Sequence, residues 1–378
     1  MVPETIPLFS TVNNEDIEAT IVNVLRSGAI ASGENIALLE KQLSKKLGLD
    51  DLVTLTDMTS AIYMALLLSG VEKGDKVLTT SFSCLATTSA IAQLGAEPVW
   101  VDIEPDSLSF SCDDAVNKVC SKTKAVLLYH LAGYPADTKK VYEFCQSNNL
   151  KLIEDCNNAM FAKNGSRYVG SFGDYAIFSF YPNRQINGIE GGALYCKRSE
   201  ERDRVRRLRR YGIDPANFRD SSGEIRADLD IKEHGWSSTM NNLNCGVALT
   251  QLPYAESKVE RARYNAMRLT SKLVGMNNLQ LVVPTHDSLP SYWVLLALVE
   301  NRDNILVELK NQGVMVSKLH QCNDQYSFFE GPQSAFELIN TREMEEKIIA
   351  FPIGWWLSED TLEVMIDKIK FVLDKYAG

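Results

Sequence analysis

Four short segments of this chain place polar or small residues where chemistry could be done. The first is Thr56-Asp57-Met58-Thr59-Ser60, between an apolar run and an apolar helical stretch. Hydroxyls and backbone N–H groups at a helix start can hold an anion, although Asp57 or Thr59 there could equally be an ordinary N-cap. The second is Glu154-Asp155-Cys156-Asn157-Asn158, where an apolar run ends in two carboxylates and two amides. A carboxylate buried at such a place needs a cationic or donor partner, and a protonated heterocyclic nitrogen would be one; a surface turn is the plain alternative. The third runs from Gly170 to Leu194 and packs an apolar run, the polar break Tyr181-Pro182-Asn183-Arg184-Gln185 and a Gly191-Gly192 start into about 25 residues. The fourth, GWSSTMNNLN (235–244), is polar and leads into a long helical stretch.

These segments need elements to position them. Strands are expected at 52–56, 76–80, 97–103, 124–131, 150–156, 175–181 and 191–197, with further apolar runs at 292–299 and 314–319. Helices are expected at 59–69, 86–94, 113–119 and 139–148, where apolar residues recur at helical spacing. That alternation predicts βαβ units and an α/β fold with a mostly parallel sheet covered on both faces. Ligands of such sheets sit beyond the carboxyl ends of the strands, where the four segments lie. After about residue 245 the pattern changes to a long helix at 245–276, bent at Pro253, then a helix at 303–312 and a last one at 358–376. The expected division is a large domain over 1–245, whose first residues could join the other unit, and a smaller C-terminal α+β domain over 246–378.

The charge is −10, which argues against a nucleic-acid partner, since phosphate backbones need a clustered basic field. The dense basic run at 202–210 sits among acidic residues and is expected to be a solvated helix face. No run of about 18 apolar residues predicts a membrane span, and no targeting segment is expected. The eight cysteines form no CxxC pair, so no metal site is expected and the thiols are taken as reduced, in a cytoplasmic protein.

In order, these segments resemble the sugar aminotransferases of the DegT/DnrJ/EryC1/StrS family, from RSGAIASGENIALLEKQL near the start to AFPIGWWLSED near the end. The most specific block is EDCNNAMFAKNGSRYVGSFGDYAIFSFYPNRQINGIEGGAL. The resemblance implies a three-layer, fold-type I enzyme that uses pyridoxal 5'-phosphate (PLP) or its aminated form, pyridoxamine 5'-phosphate (PMP). Asp155 falls at the aspartate that pairs with the pyridinium nitrogen and makes the ring an electron sink. Asn158 falls at a glutamine near the phenolic oxygen and is one methylene shorter. Thr59, Ser60 and Ser179 fall where the family holds the phosphate. Ser237 matches an asparagine that reaches the phosphate from a partner subunit, so a homodimer is implied. His130 and His320 fall near positions that approach the sugar.

Several positions depart from the family pattern. Arg184 stands at the Schiff-base lysine, and arginine stays protonated and is neither nucleophile nor base. There is no lysine between 164 and 196 to replace it. Met58 stands where a small residue is common, and Cys84 where an aromatic ring stacks on PLP, with Phe82 close in sequence. Three explanations of Arg184 stay open: an engineered lysine replacement, favoured by the intact motif around it; a relative with different chemistry, like the sugar 3-dehydratase branch, which carries histidine there; or a pseudoenzyme. The expected function is an aminotransferase scaffold for a nucleotide-linked keto-6-deoxy sugar in the synthesis of O-antigen or a similar glycan, with glutamate as amino donor and turnover blocked at Arg184.

Overall fold

The computed structural model describes residues 4–11, 15–329 and 337–376. Helices α1 (Glu15–Ser27) and α2 (Glu34–Leu47) precede the first strand. The strands that follow are β1 (Leu52–Leu55), β2 (Lys76–Thr80), β3 (Glu97–Val101), β4 (Thr123–Tyr129), β5 (Lys151–Asp155), two-residue β6 (Lys163–Asn164) and β7 (Arg167–Tyr168), β8 (Tyr175–Ser179) and β9 (Gly192–Cys196). Between them lie α3 (Met58–Leu68), α4 (Leu85–Gln93), α5 (Cys112–Val116) and α6 (Thr138–Ser147).

Seven strands form one sheet in the order β1-β9-β8-β5-β4-β2-β3. β3, β2, β4, β5 and β8 run parallel, and β9 is antiparallel to both its neighbours. The apolar runs alternate between the two faces, as the pleat requires. Val77, Leu127 and Ile153 pack with Ala61, Ile62 and Ile91 of α3 and α4. Leu78, Val126, Leu128 and Leu152 pack instead with Ala115, Val141 and Phe144 of α5 and α6. Each such aliphatic side chain contributes about 2 kcal/mol on burial. The expected doubly covered α/β sheet is therefore present.

After α7 (Ser199–Leu208), helix α8 (Asn242–Gln251) gives way to a 3-10 turn at Leu252–Tyr254 and then α9 (Ala255–Leu273). Pro253, which lacks an N–H, sits in that break. The remaining elements are β10 (Leu279–Leu281), β11 (Ser288–Leu289), β12 (Leu295–Val299), α10 (Arg302–Asn311), α11 (Ile339–Lys347), β13 (Ile348–Phe351) and α12 (Glu359–Lys375). β12 lies antiparallel between β10 and β13, and β6 pairs with both β11 and β7. Leu269, Ile305, Ile349, Phe351 and Ile369 share a second core, which Ile6 also enters.

Two expectations are corrected. The apolar run at 314–319 makes no strand: Val314 and Ser317 form only isolated bridges, and Leu319 has a positive φ of 61°. The basic run is only partly a solvated face. Arg209 is buried, and its guanidinium donates to Glu40 Oε1 at 2.6 Å and to the Thr54 carbonyl at 2.7 Å, tying α7 to α2 and β1.

Candidate active site

The four segments converge at the carboxyl ends of β1, β4, β5 and β8. Asp155 is the last residue of β5 and sits beside Tyr129, the last of β4. Its side chain is fully buried. Thr87 Oγ1 donates to Oδ2 at 2.8 Å, and Asn157 donates to Oδ1 through its amide and its side chain. Burial pushes the Asp155 carboxyl up, while those donors and His130 oppose the shift. Among the described residues no ion pair neutralises it.

Tyr129 links several of the predicted residues, although the sequence did not single it out. Asn158 Nδ2 donates to its hydroxyl at 2.9 Å, and His320 Nε2 lies 3.5 Å from it. Asn158 Oδ1 is buried and finds no partner among the described residues. His320 stands edge-on to Phe82, with ring centres 5.5 Å apart. Burial and the charge of Arg184 push its pKa down to about 4, so it is neutral at pH 7. The position of Tyr129 at a strand's carboxyl end was the available signal for it.

Arg184 occupies the turn after β8. Its guanidinium lies 5.0 Å from the Trp293 ring centre and donates to Asn183 Oδ1, while Nε is buried without a partner among the described residues. Trp293 Nε1 donates to the Asn183 carbonyl at 2.8 Å, which pins that turn. Burial lowers the Arg184 pKa, and Tyr129, Cys84, Asp155 and Tyr181 act against the shift. Arg184 is therefore grouped with Asp155, Cys84, Tyr129 and His320. Arg184 also lines a cleft of about 30 Å³, together with Gln185, Lys258, Trp293 and Trp355 among others.

Cys84 is half-buried at the start of α4 and stacks no ring. Ser179 ends β8 opposite Gly192, and its Oγ accepts from the Tyr181 amide at 3.3 Å. Thr59 and Ser60 open α3, where the N-cap is Asp57. Asp57 Oδ1 accepts from the Ser60 amide at 2.7 Å, and Oδ2 from the Ser60 hydroxyl at 2.8 Å. Ser237 is exposed and bridges to Arg210 through its backbone.

His130 has protein partners on both ring nitrogens. It is fully buried, its Nδ1 accepts from the Ala136 amide at 3.1 Å, and its Nε2 lies 3.3 Å from Glu154 Oε2. With Nδ1 accepting, Nε2 carries the proton and donates to Glu154. Glu154 also accepts from the amides of Gly170, Phe172 and Gly173. The ring thus positions the strand ends. It also leaves no lone pair for a metal, although His130, Glu154 and Cys156 are grouped closely enough to hold one.

The residues present fit PLP only in part. The ring end fits, because Asp155 is a buried carboxylate without a cation and Asn158 Oδ1 is an unused acceptor nearby. The two anchors do not. Arg184 offers no free amine, and the first turn of α3 already holds the Asp57 carboxylate.

Residues 11–370 match the DegT/DnrJ/EryC1/StrS aminotransferase family. The fold is similar to that of the sugar aminotransferase CalS13 from Micromonospora echinospora, at 24% identity over 97% of this chain and 99% of that one, with a TM-score of 0.91. It is likewise similar to the aminotransferase TlmJ from Streptoalloteichus hindustanus, at 24% identity over 100% of both chains and a TM-score of 0.90. The PMP-form of Spr1654 from Streptococcus pneumoniae, described as a sugar aminotransferase by assignment, aligns at 22% identity over 98% and 99% with a TM-score of 0.89.

Proposed function

We propose, since this chain belongs to the DegT/DnrJ/EryC1/StrS aminotransferase family, that it is a sugar-aminotransferase scaffold that recognises a nucleotide-linked keto-6-deoxy sugar and does not turn over as it stands. The family's aminotransferases use PLP, and PLP- and PMP-form structures exist among the similar folds. One observation supports the proposal: the Arg184 guanidinium is buried and interacts with Asp155 and Tyr129, and by the resemblance this position is that of the Schiff-base lysine. Lysine can attack a carbonyl and then carry a proton as its free amine. Arginine keeps its proton near neutral pH even when burial lowers its pKa, so Arg184 can orient an anion or a carbonyl but cannot do either task.

The remaining residues suit ligand binding. Asp155 and Asn158 offer acceptors at the floor, Tyr129 a hydroxyl, and neutral His320 an imidazole on the wall. In this reading glutamate is the amino donor that an active form would use. A second copy of the chain completes the site through its Ser237, exposed here. The setting is cytoplasmic synthesis of an O-antigen or similar glycan; all eight cysteines are unpaired, as that setting favours.

The test uses the full chain. PLP is added and the mixture is treated with borohydride, and steady-state transamination from glutamate is assayed. No adduct on residue 184 and no turnover are expected. A panel of dTDP-, UDP- and GDP-linked keto-sugars should contain at least one that raises the melting temperature. A reducible covalent adduct, or turnover by the unsubstituted chain, overturns the proposal.

A further inference from the structure

We infer that Asp57 stands in the place of a ligand phosphate, so that this cleft discriminates against 5'-phosphorylated ligands. The inference rests on the family reading of the cleft and changes what the cleft accepts. An 11-residue helix begins at the carboxyl end of a sheet strand here, which ordinarily makes an anion site. In this chain the anion is part of the protein. Three donors hold the Asp57 carboxylate: the Ser60 amide at 2.7 Å, the Ser60 hydroxyl at 2.8 Å and the Thr56 hydroxyl at 2.9 Å. Ser60, in the first turn of α3, therefore gives both its amide and its hydroxyl to the protein's own carboxylate.

The backbone that carries the carboxylate is held on both sides. The Thr56 amide donates to the Ser238 carbonyl at 2.9 Å, fixing the preceding residue. A Cβ on Gly192 of β9 would lie 2.6 Å from the Asp57 carbonyl oxygen, so the strand backbone is pressed against the helix start. Further negative charge is close by. Glu190, next to the Gly191-Gly192 pair, has its carboxyl pushed up by burial and by Asp57, with the Gly191 amide and Arg184 opposing. A phosphate brought to this turn would meet Asp57 at contact and Glu190 nearby, with Arg184 acting against Glu190. Like charges in such a place repel strongly, and the Ser60 amide and hydroxyl that could offset the cost are already held by Asp57.

The experiment compares two probes that differ only by the phosphate. PMP and pyridoxamine are titrated calorimetrically into the full chain and into Asp57→Ser, with Asp57→Asn as a variant of unchanged shape. Serine and asparagine both cap helices well, so α3 is retained, which circular dichroism checks. The unsubstituted chain should prefer PMP over pyridoxamine by less than tenfold. Asp57→Ser and Asp57→Asn should each gain at least tenfold for PMP and less than threefold for pyridoxamine. A tenfold or greater PMP preference in the unsubstituted chain overturns the inference. So does a smaller PMP gain in both variants, or an equal gain for pyridoxamine. The scaffold reading is read out separately, by nucleotide-linked sugar binding to the unsubstituted chain. Its failure there leaves the phosphate comparison intact.

Discussion

Asp155 and Thr87 meet at 2.8 Å across the carboxyl ends of β5 and the start of α4, a hydroxyl donating to a fully buried carboxylate that has no cation beside it among the described residues. Burial pushes that carboxyl above its ordinary value. A carboxyl raised in the folded state costs stability at neutral pH, because the unfolded chain releases the proton first. Stability is therefore regained as pH falls through the folded pKa toward the unfolded one. Asp155→Asn should raise the melting temperature of the ligand-free chain at pH 7 by a few degrees, on the order of 1 kcal/mol. Calorimetry at pH 5 and pH 8 checks this, with the larger gain at pH 8. A lower melting temperature for the variant at both pH values would show that the three hydrogen bonds to the carboxylate outweigh desolvation.

Glu154 and His130 form a different kind of pair one residue back along β5. The Glu154 carboxylate serves three backbone amides besides the imidazole, whereas His130 serves one amide and one carboxylate. Glu154→Gln turns an NH₂ toward those donors and should cost at least about 3 kcal/mol. His130→Phe leaves the Ala136 amide unpaired and should cost about 1–3 kcal/mol. Urea denaturation orders the two variants. A greater loss for His130→Phe would overturn the assignment of Glu154 as the hub.

The third expectation concerns acid. His320 has a pKa pushed down to about 4 by burial and by Arg184, against an ordinary value of 6.5. The unfolded chain binds that proton between those two values, so stability rises with pH across the window and is level with respect to this group above it. The full effect is about 3 kcal/mol. His320→Gln should flatten the stability curve between pH 4 and 6.5 and leave it nearly unmoved at pH 8. An unchanged acid slope in the variant would show that His320 does not carry it.

Much of the fold was legible in the chain itself. The short apolar runs of β2, β4 and β5 alternating with the helical runs of α3, α4 and α6 predicted a parallel sheet with two covered faces, because strands buried on both faces read as continuous apolar runs joined by helices. The strand ends then located Asp155, Asn158, Ser179 and Arg184, since ligands of such sheets gather there. Helices α1, α2 and α11 were not foreseen; their apolar residues meet partners that are remote in sequence, as α1 and α2 do on α8. The run at 314–319 failed as a strand for a related reason: its neighbours Ile6 and Ala350 offer only single bridges.

Within the site, sequence determined which residues arrive and the tertiary structure decided what each one has left to give. His130 and His320 look alike in the chain. One has both nitrogens spent on Ala136 and Glu154, while the other faces Tyr129 beside Arg184. Tyr129 became central only because β4 and β5 end level with each other. Asp57 could have been an ordinary cap or part of an anion site. Its role follows from the Ser60 and Thr56 donors that close on it and from Gly192 behind it. The absence of an amine at position 184, by contrast, was settled by the sequence alone, since no folding turns a guanidinium into a nucleophile.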